Sequence, residues 1–160
     1  MRFATLAVCS ILMTACATTP EVSLTPLEIQ SMQTRSFEAE KSETFASVMS
    51  MFQNLGYTIR QADVSTGFIT AESTAETSTN MLELALIGAR ANRYTSSTRA
   101  TATIEEMNGE TRVRLNFVNA RKSSSGWGQN SSDDKPVLDA EVYTNAFNKI
   151  ENELFVRSAS

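Results

Sequence analysis

The clearest pattern along the chain is a strict two-residue alternation on either side of Asn108-Gly109. Before the pair, Ala100, Ala102 and Ile104 alternate with Thr101, Thr103 and Glu105. After it, Val113, Leu115 and Phe117 alternate with Arg112, Arg114 and Asn116. That period marks strands with one buried face. Asn-Gly suits a two-residue turn in which both positions need positive φ. Such a turn sets Ile104 opposite Val113, Ala102 opposite Leu115 and Ala100 opposite Phe117. Residues 98–121 are therefore expected to form a hairpin with six apolar side chains on one face. On the other face Glu105 meets Arg112, an opposite-charge pair. A slip of one residue would mix the two faces, so the register is well specified.

The rest of the chain gives shorter signals. Residues 33–40 alternate, with Arg35, Phe37 and Ala39 on one side, and predict a first strand. Residues 42–55 carry Phe45, Val48, Met49, Phe52 and Leu55 at helical spacing, with Ser42 as a candidate N-cap and Gly56 as a stop. Residues 57–63 and 68–73 predict two strands joined by Ser65-Thr66-Gly67. Residues 74–80 are a polar connector. Residues 81–91 are apolar on most sides (Met81, Leu82, Leu84, Leu86, Ile87), and Asn80 with Glu83 has the form of a capping box. This stretch either packs on the domain or meets lipid or a partner through Leu84, Ile87, Arg90 and Arg93. Residues 123–135 are polar and predict a loop. Trp127 stands alone in it, either folded over the rim of the core or exposed as a recognition anchor. Residues 139–155 predict a last helix, with Asp139 as N-cap and Val142, Tyr143, Ala146, Phe147, Ile150 and Leu154 as its apolar stripe.

Each strand has one apolar face and each long helix one apolar stripe. The expected architecture is α+β in two layers. An antiparallel sheet of about five strands is covered on one face by two helices, in the order β-α-β-β-(short helix)-β-β-α. The other face, with Thr101, Thr103, Glu105, Arg112, Arg114 and Asn116, is free to stay in water.

The N-terminus has a different design. Met1 and Arg2 give a basic start, residues 3–13 are apolar apart from Thr5 and Ser10, and Thr14-Ala15 precede Cys16. A basic start, a short apolar run and small residues at a cleavage position are the parts of a secretory signal. The run is about 11 residues, against about 20 for a membrane-spanning helix. Met13-Thr14-Ala15-Cys16 resembles the end of a bacterial lipoprotein signal, with Met13 where Leu is usual. An ordinary secretory signal with a chance cysteine is the alternative. The resemblance implies cleavage before Cys16, lipidation of Cys16 and, because Ala17 rather than Asp follows, the periplasmic face of the outer membrane. In that family the cysteine carries two acyl chains on its sulfur and a third on its new amine, which would exceed the two signals that stable anchoring needs. The expected organisation is a signal over residues 1–15, a lipidated cysteine and linker over 16–31, and one periplasmic domain over 32–157.

Composition narrows the chemistry. The chain has no histidine and two cysteines, Cys9 in the apolar run and Cys16. Mature protein would hold no free thiol and no imidazole, the commonest general base and metal ligand. No metal site, cofactor or catalytic residue is expected. The net charge is −4, and the scattered Lys and Arg form no nucleic-acid footprint. Ser123-Ser124-Ser125 lacks a nucleophile-elbow context.

Three stretches together resemble a family of small Gram-negative envelope lipoproteins of uncharacterised function. They are Gln33-Thr34-Arg35-Ser36-Phe37, then Gln53-Asn54-Leu55-Gly56-Tyr57 running on to Gly67-Phe68-Ile69, then Val137-Leu138-Asp139-Ala140-Glu141-Val142-Tyr143 with Phe147 and Leu154-Phe155. The resemblance implies a helix-on-sheet domain, loosely similar to the globular domains of a lipoprotein of the barrel-assembly complex. It implies no reaction and no site residues. The functional expectation is a membrane-anchored, non-enzymatic interaction or assembly module with an envelope protein as partner. The wet face (Arg112, Arg114) and Trp127 are its candidate contacts. The alternative is a carrier holding an apolar ligand between helices and sheet.

Overall fold

The structure is a computed structural model in which residues 24–79, 93–124, 128 and 130–159 are described. In chain order the elements are helix α1 (Pro26–Met32), strand β1 (Thr34–Phe37), helix α2 (Lys41–Asn54) and strands β2 (Tyr57–Asp63), β3 (Phe68–Ser73) and β4 (Glu76–Thr79). Strands β5 (Arg93–Met107), β6 (Glu110–Ser124) and β7 (Asn130–Pro136) and helix α3 (Ala140–Ser158) follow. The strands form one antiparallel sheet in the order β1-β6-β5-β3-β2, with β4 also on β5 and β7 also on β6. The fold is α+β, as the alternation and helical stripes predict.

The long hairpin forms in the expected register. Ile104 faces Val113, Ala102 faces Leu115, Ala100 faces Phe117 and Glu105 faces Arg112. Asn108 and Gly109 both have positive φ, at 55° and 84°. All six apolar residues are buried, at 2% exposure or less. Helix α2 packs on them through Val48, Met51 and Phe52, and α3 through Tyr143, Ala146, Phe147 and Ile150. Both helices thus cover the same sheet face. Phe117 is the point where the layers meet, with its ring 6.4 Å from Phe52, 6.3 Å from Tyr57 and 5.3 Å from Tyr143. The Asp139 side chain caps α3 by accepting from the Glu141 amide at 2.9 Å, and Gly56 follows α2 with φ 79°, both as expected.

The turn between β2 and β3 is built by Asp63. Its Oδ1 accepts from the Ser65 amide at 2.9 Å, the Ser65 hydroxyl at 2.6 Å and the Thr66 amide at 3.4 Å. These bonds, the Ser65 hydroxyl's foremost, hold the Asp63 carboxyl below its ordinary pKa. Gly67 closes the turn at φ 72°. Its carbonyl accepts from the Ile104 amide at 2.8 Å, which ties the turn to β5.

Several expectations need correction. Residues 26–32, at the end of the stretch expected to be a linker, form α1. The reason is a complete capping box: the Thr25 hydroxyl accepts from the Glu28 amide, Glu28 reaches back to the Thr25 amide, and Pro26 sits in the first turn. Residues 130–136, expected as loop, form β7, paired along β6 from Val118 to Ser124. Residues 76–79, expected as connector, form β4 on β5. Both strands are polar, and β7 is exposed at every position. They are held by the backbone ladder, so their sequences carry no apolar alternation. Finally, α2 starts one residue earlier, after Glu40 rather than at a Ser42 cap, and β1 stops at Phe37. In α2, Met51 is fully buried while Leu55 is 39% exposed, so the buried stripe is rotated from the expected one.

The hairpin outruns its helices. At about 3.4 Å per residue, β5 with its 15 residues is roughly 50 Å long. The apolar face ends near Ala100 and Phe117. Beyond it, β4 and β7 flank β5 and β6 in a four-stranded polar extension.

Candidate interaction surface

The face turned away from the helices is where the expected contact residues lie. By the two-residue period of β5 and β6, Thr101, Thr103 and Glu105 share it with Arg112, Arg114 and Asn116. β1 adds Thr34 beside Arg114 and Ser36 beside Arg112. β3 adds Phe68, Thr70 and Glu72, opposite Thr103, Thr101 and Arg99. Neither α2 nor α3 covers this face, because their core contacts lie wholly on the other side.

Ion pairs cross the face. Arg112 Nη2 lies 2.8 Å from Glu105 Oε2, the cross-strand pair expected from the register. Arg60 pairs with Glu72 at 3.1 Å, and the Ser97 hydroxyl donates to the same carboxylate at 3.2 Å. Arg99 pairs with Asp134 on β7. These side chains are all about a third exposed or more, so each pair adds at most about 1 kcal/mol. They fix the charge pattern more than they hold the fold.

Arg114 differs from these arginines. Among the described residues it has no carboxylate partner; its Nη2 donates to Gln33 Oε1 at 3.3 Å. Gln33 is itself only 4% exposed. Its Nε2 donates to Asn116 Oδ1 and to the Tyr143 hydroxyl, each at 3.4 Å, and its backbone carbonyl accepts from the Leu115 amide at 2.8 Å. The Tyr143 hydroxyl in turn donates to the Val137 carbonyl at 2.9 Å. A buried polar chain thus runs from α3 through the sheet edge to Arg114. Gln33 was not legible as a member of this chain. A glutamine at a strand start carries no sign of burial, and its partner Tyr143 is 110 residues away.

Beside Arg114 the surface is concave. A groove of about 310 Å³ is lined by Gln30, Thr34, Thr103, Glu105, Arg112 and Arg114. Gln30 belongs to α1, so the helix that replaced the expected linker also walls the groove. Arg35, on the opposite face, lies 5.0 Å above the Phe147 ring and donates to Asn148 at 3.0 Å, a packing role rather than a contact one. The groups with shifted pKa are not among the residues lining the groove: Glu28 and Asp63, lowered by hydrogen bonds, and Tyr57, raised by burial. Among the described residues no three His, Cys, Asp or Glu gather as a metal site.

The other sequence candidates are not brought to this groove. Cys16, Leu84, Ile87, Arg90 and Trp127 lie outside the described residues. Arg93 opens β5, paired with Thr79 and Ser124, about 40 Å along the strand from Glu105. Ser124 also pairs with Asn130. Thr79, Arg93, Ser124 and Asn130 therefore meet at the same end of the sheet, the end remote from Asn108-Gly109. No described helix is long and apolar enough to cross a membrane.

No protein-family model matches the chain, and no curated protein matches it. Among solved structures, the chain is similar to a DUF4468 family protein from Bacteroides ovatus. The two are 10% identical, with a TM-score of 0.39 over 76% of this chain and 84% of that one. A likeness at that level carries neither family nor function.

Proposed function

We propose that the protein is a membrane-anchored envelope lipoprotein that acts as a non-enzymatic interaction module, docking an envelope protein on its uncovered sheet face. The observation that supports this most is the one-sided core. All large buried side chains lie between the sheet and one layer of helices. The opposite face presents a patterned array of paired arginines and carboxylates around a groove. The resemblance to small outer-membrane lipoproteins, carried by Cys16 and the three quoted stretches, supplies the anchor and the periplasmic location. The aromatic contacts of Phe117 with Phe52 and Tyr143 bring the helices directly onto the sheet, which favours docking over a carrier role.

The anchor is tested by Cys16→Ser. The variant is expected to lose labelling by a fatty-acid probe completely and to move from the membrane to the soluble periplasmic fraction. A variant that stays membrane-bound and labelled would remove the lipoprotein reading.

A further inference from the structure

We propose that the groove between α1 and strands β5 and β6 is a receptor for an acidic side chain, Asp or Glu, of the protein that docks on this face. The inference rests on the docking reading and names the chemistry the partner must bring.

The charge balance of the groove points to an anion. The groove holds Arg112, Arg114 and Glu105. Glu105 is matched by Arg112 at 2.8 Å. Arg114 is left over, so the groove carries one unmatched positive charge in a chain whose net charge is −4. The neighbouring arginines on the same face, Arg60, Arg99 and Arg112, each have a carboxylate. Arg114 has only an amide oxygen among the described residues. A guanidinium has five donors in a planar fork, and a carboxylate is the planar acceptor that fits it with two parallel bonds.

The groove is also organised in advance of binding. Arg114 is an exposed side chain tied to the domain through Gln33. Gln33 holds it from behind, and Gln33 is fixed by Asn116 and Tyr143. Thr34 and Thr103, both half-buried, also line the groove. A guanidinium tied in place beside two threonines in one concavity reduces the ordering cost of binding an anion. Pairing on a preformed fork favours a carboxylate over an amide of the same shape, because the charge-assisted bonds are about twice as strong.

The test is a titration of the full-length lipidated protein in detergent micelles at low salt, followed by amide and arginine Nε–Hε resonances. The probe is a capped Gly-Glu-Gly-Glu-Gly peptide, compared with its Gln analogue and with inorganic phosphate. The expected result is saturable shifts at Arg114, Thr34 and Thr103 with the Glu peptide alone. Arg114→Gln is expected to weaken binding about tenfold or more, and Arg114→Lys to weaken it as well, since a lysine keeps the charge but loses the fork. Lys149→Gln, on the outer side of α3, should leave it unchanged. Equal shifts with the Gln peptide, equal or stronger shifts with phosphate, or unchanged affinity in Arg114→Gln would each overturn the assignment. Failure of the docking reading shows separately, as loss of any partner captured from this face in cells.

Discussion

Gly67→Ala should lower the stability of the domain by about 3 kcal/mol or more, because two costs add. At φ 72° an L residue costs about 1–2 kcal/mol. The new Cβ would also stand 2.0 Å from the Ile104 carbonyl oxygen and 3.0 Å from its carbon, a backbone overlap that no rotamer relieves. To make room, the turn must move off β5, and the 2.8 Å bond from the Ile104 amide to the Gly67 carbonyl breaks with it. Overpacking of this kind costs about 1–3 kcal/mol. Gly109→Ala is the control. Its φ is also positive, 84°, but nothing lies within 4 Å of the added Cβ, so only the conformational term of about 1–2 kcal/mol remains. Urea unfolding of both variants measures the difference. Similar midpoints would show that the contact with Ile104 does not restrain the turn.

Phe117→Ala should cost about 3–5 kcal/mol. Phe117 is 2% exposed and touches rings from α2, β2 and α3 at once. Removing it leaves a void bounded by three elements that cannot all close inward together, so the cavity term is large. Domains are stable by about 5–15 kcal/mol, and such a loss takes a large share of that. The urea midpoint should fall with the slope unchanged. Phe155→Ala, at a position 74% exposed, should shift stability by less than about 0.5 kcal/mol. A small effect at Phe117 would mean that the layers do not meet there.

How far each element was legible depends on what holds it. The hairpin was readable to the residue, because Asn108-Gly109, the apolar alternation and the Glu105–Arg112 pair all specify one register. β2, β3 and the Asp139 cap were readable for the same reason: local chemistry and burial agree. β4 and β7 were not, because they carry no apolar face and are held by pairing with strands already in place. α1 was readable and was missed; Thr25-Pro26-Leu27-Glu28 has the capping-box spacing, but two prolines nearby made the stretch resemble a tether. Of the contact surface, Arg112 and Arg114 came from the alternation alone. The groove did not, since Gln30 and Gln33 join it only through long-range packing, and the buried link from Gln33 to Tyr143 spans most of the chain.

The two faces of the sheet therefore divide the labour. One is committed to the core through Phe117 and its neighbours. The other is left to solvent with an ordered set of charges, and it is the face on which docking is proposed. It is tested most directly by placing a photocrosslinking residue at Thr101, midway across the uncovered face, in cells, with a second one at Lys149 on the outer side of α3 as reference. Docking there predicts one defined envelope-protein adduct from position 101, absent from position 149 and abolished by Arg114→Glu. No adduct from position 101, or the same adduct from both positions, would contradict it.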